Sequence, residues 1–382
     1  MIVSHVPHFQ WDGRLFAYGP YAREIEVWAD LFPEVVVAAP LRLEAPPGDA
    51  LVLSRPNISV APQLETGGDT LRDKAIQALA LPRHLWRLAG AMRQADAVHV
   101  RCPGNLGLLG CLLAPMFRKP RVAKYAGQWS DYPGEPRTWG WQKALLRSRW
   151  WRGLVLVYGR WPNQPPQVVP LFTSAMDATQ MARARSALPR DWSKQPLEVL
   201  FVGRLSPPKN VHIILRALAL LKPEGLCPRF RVVGDGPVRR ELEALARGLN
   251  LDQQVSFQGA VPQAKVLDFY EQAHILVLAS HTEGWPKAIA EAMAFGLVCV
   301  GANRGLVPQM LGEGRGFLVE PGNVPALAAR LRQAATEASQ AAEISQRAAA
   351  WARQFTLETL KAALRQQLEF SWTAPLPAAP TS

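Results

Sequence analysis

Cysteine and long apolar runs are both scarce in this chain of 382 residues. The four cysteines are scattered without the spacing of a zinc site or a disulfide framework, which fits a reducing compartment. The longest apolar run, residues 107–117, contains Pro115 and is shorter than the roughly 20 residues that span a bilayer. The first residues, MIVSHVPHF, lack the basic stretch of a signal peptide. The sequence therefore argues against a secreted disulfide scaffold, a zinc protein and a membrane channel, and we expect a cytoplasmic protein.

Charged residues are also few, at 19% of the chain against 48% hydrophobic residues, which excludes disorder over most of its length. Acidic residues are scarcest in one segment. Residues 101–190 hold 14 basic and 3 acidic residues, while the whole chain has a net charge of +12. Six of the 13 tryptophans lie in the same segment. The positive charge is therefore concentrated beside aromatic residues.

Three interpretations of this Arg/Trp-rich segment remain open. The segment can lie on an anionic membrane, because Trp prefers the membrane interface and Arg pairs with lipid phosphate. It can bind nucleic acid or an acidic substrate. It can also be a solvated helix that ends near Arg152 and is followed by a buried strand at 154–158. The functional interpretations are compatible with the third, since one helix can serve both.

Short apolar segments alternate with amphipathic helices along the chain. Strand–helix alternation predicts parallel sheets, and two successive series predict two doubly wound domains. One series of predicted strands covers residues 2–6, 35–39, 98–100, 122–125, 154–157 and 168–170, and the second covers 198–202, 230–233, 255–258, 275–278, 298–300 and 316–319.

The predicted domain boundary lies in residues 183–196, which are polar and contain proline. This boundary gives a first domain at 1–188 and a second at 189–355. A last helix is expected at 356–372, and the remaining residues, 373–382, are expected to be disordered.

Three predicted strands of the second half end in glycine. The first ends at Gly203 and is followed by Arg204 and Lys209. A glycine at the carboxyl end of a parallel strand allows close backbone approach, and two cations there suit a diphosphate. The alternative is an ordinary strand–loop–helix with solvated bases. Gly234 and Gly259 end the other two strands and are weak signals in isolation.

The segment 280–296 is the most informative, because two glutamates flank a predicted helix start. Glu283 and Gly284 precede Pro286, which suits the first turn of a helix that carries Glu291. The free N–H groups and the dipole of such a helix favour a diphosphate. Glu291 is then placed to accept both hydroxyls of a ribose, and Glu283 to reach a sugar. The alternative is two surface glutamates near a capped helix.

In combination, these segments resemble retaining glycosyltransferases of family 4 over about residues 195–350. The resemblance implies the GT-B fold, in which two Rossmann-like domains with doubly wound parallel sheets face each other across a cleft. It also implies a nucleoside-diphosphate sugar as donor substrate, with no metal and no other cofactor. The matching residues are Gly203-Arg204-Leu205 with Lys209, Gly234-Asp235-Gly236-Pro237, Val255 to Gly259, Glu283-Gly284-x-Pro286, and Glu291-Ala292-Met293-Ala294 with Gly296.

The resemblance also implies roles for individual residues. Arg204 and Lys209 neutralise the donor diphosphate, Glu283 contacts the donor sugar and Glu291 holds the ribose. The base packs near Gly259, and the last helix crosses back to the first domain. Backbone groups of four consecutive residues contact the sugar and phosphates: Gly284, Trp285, Pro286 and Lys287.

The first half resembles the family less. Gly13 is the predicted glycine of a loop that reaches the donor phosphates, although no Gly-Gly pair is present. No histidine follows the fourth strand, so Asp131 is the ionisable candidate for acceptor activation, with a plain turn residue as the alternative. His5, His8 and His99 lie in or beside early strands and are expected in the core or the cleft.

The sequence therefore predicts a retaining glycosyltransferase acting on a glycan or a lipid-linked acceptor, in envelope or exopolysaccharide biosynthesis. We expect peripheral contact with anionic membrane through residues 101–190 and no nucleic acid partner. Two alternatives remain: another GT-B enzyme, such as a nucleotide-sugar epimerase or a phosphorylase, or a basic polyanion-binding protein.

Overall fold

The computed structural model describes residues 1–65, 71–193 and 196–372, with the backbone alone over 71–80. The chain divides into two α/β units. The first comprises Met1–Thr173 and the chain from Leu357 onward, and the second comprises Ser174–Thr356. The predicted tail at 373–382 lies outside the described residues. In the described ranges, no helix has both the length and the hydropathy needed to cross a membrane.

The first unit is built on a largely parallel sheet with β1 at its centre. Its main strands run in the order β6-β4-β1-β7-β8-β9-β10. The order reverses between β1 and β7, as in a doubly wound sheet. The elements are β1 (Ile2–Val3), β2 (His8–Trp11), β3 (Arg14–Tyr18), α1 (Gly19–Ala29), β4 (Val35–Arg42), β5 (Ala50–Val52), β6 (Ile58–Gln63), α2 (Leu71–Gln94), β7 (Val98–Cys102), α3 (Asn105–Leu113), β8 (Arg121–Tyr125), α4 (Arg137–Arg147), β9 (Leu154–Tyr158) and β10 (Val168–Leu171).

A hairpin after β1 differs from the sequence prediction of one strand at 2–6. Strands β2 and β3 pair antiparallel and are joined by Asp12 and Gly13, whose φ angles are 49° and 69°. Two consecutive positive φ angles define the tight Asp-Gly turn that matches the twist of a hairpin. This turn accounts for the glycine at position 13 without a bound phosphate.

The second unit contains a wholly parallel sheet in the order β13-β12-β11-β14-β15-β16. This is the strand order 3-2-1-4-5-6 of a doubly wound sheet, which reverses between β11 and β14. The elements are α5 (Ala178–Ser186), β11 (Glu198–Val202), α6 (Val211–Leu221), β12 (Arg229–Val233), α7 (Arg239–Gly248), β13 (Val255–Gly259), α8 (Gln263–Gln272), β14 (Ile275–Leu278), α9 (Lys287–Ala294), β15 (Val298–Ala302), α10 (Val307–Leu311), β16 (Gly316–Val319), α11 (Val324–Thr336) and α12 (Ala338–Ala352).

The first unit ends at Thr173, earlier than the predicted boundary at residue 188. The reason is that arginines fasten the intervening chain to the second unit. Arg183 of α5 pairs with Asp268 and Glu271 of α8, each at 2.6 Å. Arg190 donates to the main-chain carbonyls of Tyr270 and Glu271 in the last turn of α8 and to that of Phe295. The described part of 183–196 is therefore an integral part of the second unit.

The last helix, α13 (Leu357–Trp372), belongs to the first unit. It buries Leu360, Leu364 and Leu368, which recur every four residues and form one apolar face. Lys361 on the same helix pairs with Asp30, just after α1, at 3.1 Å. The first unit is thus assembled from both ends of the chain.

A buried ion cluster lies under the carboxyl ends of β7 and β8. Glu24 of α1 is fully buried and contacts Arg101 at 2.5 Å and Lys124 at 3.1 Å. Burial lowers the pKa of the Lys124 ammonium, and the charge of Glu24 opposes that shift. One carboxylate therefore compensates two cations in a site with little water.

We expect Glu24→Gln to lower the free energy of unfolding by about 3–5 kcal/mol, because Arg101 and Lys124 would stay buried without a counter-charge. Urea denaturation followed by circular dichroism measures the loss. The control is Glu343→Gln, which breaks an exposed pair with Arg347 and should cost less than about 1 kcal/mol. Equal losses in the two variants would contradict this account of the cluster.

Candidate functional site

The loops after β11 and β14 lie side by side at the carboxyl edge of the second sheet. These are the loops on either side of the strand-order reversal, where doubly wound sheets bind their ligands. Most of the residues singled out in the sequence lie in these loops or directly after them. The topology therefore brings Arg204, Lys209 and Glu283 to one place.

Two hydrogen bonds to main-chain carbonyls fasten the loops together. The side chain of Asn210 is buried, and its Nδ2 donates to the carbonyl of Ala279 at 3.0 Å. The backbone N–H of His281 donates to the carbonyl of Pro208 at 2.9 Å. Asn210 itself has a φ of 53°, in the left-handed region that asparagine tolerates better than most residues. The site is therefore held in place by the fold itself.

An ion pair across the same two loops joins the residues predicted to contact the donor. Lys209 Nζ lies 2.6 Å from Glu283 Oε1. The Glu283 side chain is only 11% exposed, and Lys209 supplies its counter-charge. Arg204 is exposed and forms no ion pair with another described residue. The site thus presents one unpaired guanidinium beside a neutralised pair.

The glycines that end these strands permit close contact between neighbouring loops. A Cβ at Gly234 would lie 2.0 Å from the carbonyl oxygen of Gly203, and one at Gly236 would lie 2.2 Å from that of Leu205. The N–H of Gly234 also donates to the carbonyl of Gly259 at 2.8 Å. Packing of the main chain is therefore sufficient reason for these glycines, and their predicted donor contacts stay predictions.

Helix α9 starts directly after the site, with Pro286 at its N-cap. Ile289, Ala292 and Met293 form the buried face of this helix and fix its direction. The free N–H groups of its first turn therefore face the preceding loop, which carries Glu283.

Glu291 is held by a tyrosine that the sequence analysis did not identify. Tyr270 of α8 is fully buried, and its hydroxyl donates to Glu291 Oε2 at 2.9 Å. Burial and the charge of Glu291 both raise the pKa of Tyr270, so the phenol remains a donor. Tyr270 therefore orients the carboxylate predicted to hold the ribose.

Trp285 has its indole in an aromatic cluster. Its ring stacks on Trp351 at the end of α12, with centroids 6.3 Å apart, and lies edge-on to Phe355 at 5.1 Å. This packing anchors the loop 280–286 within the second unit. Any contact of Trp285 with a ligand would therefore come from its backbone, as the sequence analysis expected for this segment.

The other two predicted site residues, Gly13 and Asp131, belong to the first unit. Asp131 is 77% exposed and lies 2.5 Å from the buried Nζ of Lys143, which also contacts Glu135 at 2.7 Å. The hydrogen bond from Lys143 lowers the pKa of Asp131. Asp131 is thus a weaker base than a free aspartate. In the described ranges, no cluster of three His, Cys, Asp or Glu side chains is arranged to hold a metal ion.

Known proteins resemble this chain at two levels. The structure of HepE from Anabaena in complex with UDP and glucose superposes with a TM-score of 0.68 over 96% of this chain and 98% of that chain, at 19% identity. The fold is GT-B. The predicted fold class is confirmed, and in this GT-B chain the site described above lies in the second Rossmann-like unit.

Sequence similarity to known families and proteins covers part of the chain. Residues 187–351 match the family of glycosyl transferases group 1. The colanic acid biosynthesis glycosyltransferase WcaL of Salmonella typhimurium is 31% identical over 176 residues, which are 44% of this chain and 42% of that protein. The amylovoran biosynthesis glycosyltransferase AmsK of Erwinia amylovora is 32% identical over 149 residues, 37% of each chain. The chain thus spans about two fifths of the length of the curated relatives it matches.

We expect two substitutions of Asn210 to separate its hydrogen bond from its backbone conformation. Asn210→Gly keeps the left-handed φ and removes the side chain with its hydrogen bond, so the free energy of unfolding should fall by about 1–3 kcal/mol. Asn210→Ala should cost about 1–2 kcal/mol more, because it adds a Cβ at positive φ. Urea denaturation measures both values, and a smaller loss for Ala than for Gly would be inconsistent with this geometry.

Proposed function

We propose that this GT-B protein is a retaining glycosyltransferase. It would move a sugar from a nucleoside diphosphate to a hydroxyl of a glycan or lipid-linked acceptor, in polysaccharide biosynthesis at the cytoplasmic face of the membrane. The observation that carries the proposal is the Lys209–Glu283 ion pair at the strand-order reversal, beside the exposed Arg204. The names of WcaL and AmsK support the assignment to polysaccharide biosynthesis.

The donor diphosphate would bind between Arg204, Lys209 and the first turn of α9. An ammonium has three N–H donors, so Lys209 can bind a phosphate oxygen while it still holds Glu283. Glu283 would then accept from a hydroxyl of the donor sugar without ever lacking a partner. The free N–H groups of α9 and the positive end of its dipole add stabilisation as the diphosphate leaves.

The nucleoside would be held through its ribose by Glu291. Tyr270 uses one acceptor position on one carboxylate oxygen. A carboxylate offers about four such positions, so two ribose hydroxyls can still donate to it. The uridine diphosphate bound in the HepE structure makes uridine the first nucleotide to test.

Proton transfer would need no strong base from the protein. We propose that the leaving phosphate oxygen accepts the acceptor's proton on the face from which the sugar departs, which gives retention at the anomeric carbon. The ion pair of Asp131 with Lys143 supports this mechanism, because it lowers the basicity of the carboxylate predicted from the sequence.

Lys209→Gln should weaken binding of the donor tenfold to a hundredfold, because a charged hydrogen bond to phosphate contributes about 1.5–3 kcal/mol. Calorimetric titration with a panel of uridine and guanosine diphosphate sugars measures the affinity. Lys265→Gln, an exposed lysine at the start of α8, is the control and should bind as the wild type does. Equal affinity in Lys209→Gln and the control would overturn the donor site, and an epimerised donor sugar without transfer would favour an epimerase.

Asp131→Asn tests the mechanism. We expect its kcat/KM for transfer to stay within about tenfold of the wild type, since the leaving oxygen takes the proton; a general base contributes about a hundredfold or more. Glu135→Gln, which removes the other partner of Lys143, is the control for structural effects. A loss of a hundredfold or more in Asp131→Asn alone, or inversion at the anomeric carbon of the product by NMR, would contradict the mechanism.

A further inference from the structure

A pocket of about 680 Å³ opens in the first unit where strands β8 and β9 begin. The segment before β8, the turn between α4 and β9, and the last residues of α13 line it. It lies at the amino edge of the sheet. Doubly wound sheets bind substrates at the opposite, carboxyl edge, so this pocket is separate from the substrate-binding edge of its own unit.

The structure of the turn corrects one expectation from the sequence. Helix α4 ends at Arg147 instead of continuing to about Arg152. Residues 148–153 therefore form a turn with a positive φ of 44° at Arg152, which is hydrogen-bonded through its Nε to the carbonyl of Arg149 at 3.0 Å. This turn brings Arg149, Trp150 and Arg152 to the pocket together.

Five cations line the pocket, and no acidic side chain does. Their hydrogen bonds within the described residues go to main-chain carbonyls, such as that from Arg121 Nε to Trp151 at 2.6 Å. No carboxylate of the described chain forms an ion pair with any of them. Burial and the charge of Arg152 lower the pKa of Arg121, as expected where like charges are held close. The five are Arg118, Lys119, Arg121, Arg149 and Arg152.

Three exposed apolar side chains, which we call the apolar rim, lie in the pocket lining or next to it in the chain. Met116 is 66% exposed, Trp150 is 48% exposed and Phe370 is 84% exposed. Trp150 itself lines the pocket, and Met116 and Phe370 are the chain neighbours of the lining residues Pro115 and Ser371. A small anion in water gains nothing from such a rim. Binding to a bilayer is strengthened by the rim, because aromatic and aliphatic side chains enter the interface where Arg and Lys contact lipid phosphate.

We propose that this pocket and its apolar rim are the membrane-docking site of the protein, with phosphates of anionic phospholipid headgroups bound by the five cations. The proposal deepens the membrane contact of residues 101–190 and assigns it to a defined pocket that also includes the end of α13. It does not rest on sugar transfer. Charge complementarity selects anionic lipid, and the rim selects a lipid surface over a soluble polyanion.

The test is co-sedimentation of the full chain with vesicles of phosphatidylcholine, with and without 30% phosphatidylglycerol as a roughly physiological anionic content. The triple variant Arg118→Gln, Arg149→Gln, Arg152→Gln removes only exposed cations. It should bind the anionic vesicles at least tenfold more weakly than the wild type. The matched control, Arg216→Gln, Arg247→Gln, Arg330→Gln, makes the same change in net charge on exposed sites of the second unit and should bind as the wild type does.

A second variant separates lipid from soluble polyanion. Met116→Ser with Phe370→Ser keeps every cation and should weaken vesicle binding several-fold while leaving binding to polyphosphate unchanged. Equal vesicle binding by the wild type and both variants would overturn the proposal. Polyphosphate binding that is tighter than vesicle binding, and that is unchanged when the rim is substituted, would also overturn it. Titration with UDP-sugar in the triple variant should match the wild type. If neither the wild type nor the variants bind the donor while the wild type still binds vesicles, the proposed transferase function is refuted and the docking site is not.

Discussion

The meeting of two loops across the strand-order reversal of the second sheet is the constraint on which the site depends. The strand order of the sheet reverses between β11 and β14, so the loops after these two strands lead away from each other. A crevice remains between the loops. Asn210 joins these loops with a buried hydrogen bond, and Lys209 and Glu283 join them with charge. Without that connection, neither charged residue would have a fixed position. The glycines at 234 and 236 also hold this edge together, because they allow neighbouring strand ends to touch through their main chains.

Much of this second unit can be predicted from the sequence because its signals are local. Each strand is an apolar run that closes on glycine or a short polar loop, and the loop residues next to it carry the charge. Tyr270 could not be identified in this way. It lies on a helix 21 residues before Glu291, and nothing in its neighbourhood distinguishes it from an ordinary core tyrosine. The roles of Arg183 and Arg190 could not be predicted because their partners lie some 80 residues away in the sequence. The segment that carries these arginines therefore resembles a solvated linker.

The first unit is less predictable, for a related physical reason. Its hairpin strands are short and partly exposed, and the Asp12–Gly13 pair that marks their turn is a signal that fits either a hairpin or a ligand loop. The basic residues of the segment 101–190 likewise lie in several different environments. Lys124 and Arg101 pair with Glu24 in the interior, Lys143 pairs with two carboxylates, and five further cations line the pocket at the amino edge of the sheet. Composition alone cannot divide these roles, because burial decides which cation is compensated.

The position of α13 has a consequence for synthesis on the ribosome. Leu360, Leu364 and Leu368 complete the core of the first unit, and Lys361 reaches Asp30, 331 residues earlier in the chain. The second unit is one continuous stretch, so it emerges whole and can fold at once. The first unit emerges earlier but lacks an outer helix until α13 is made. The first unit therefore begins to be translated before the second but is completed after it. Until α13 is made, the apolar surface near α1 stays exposed.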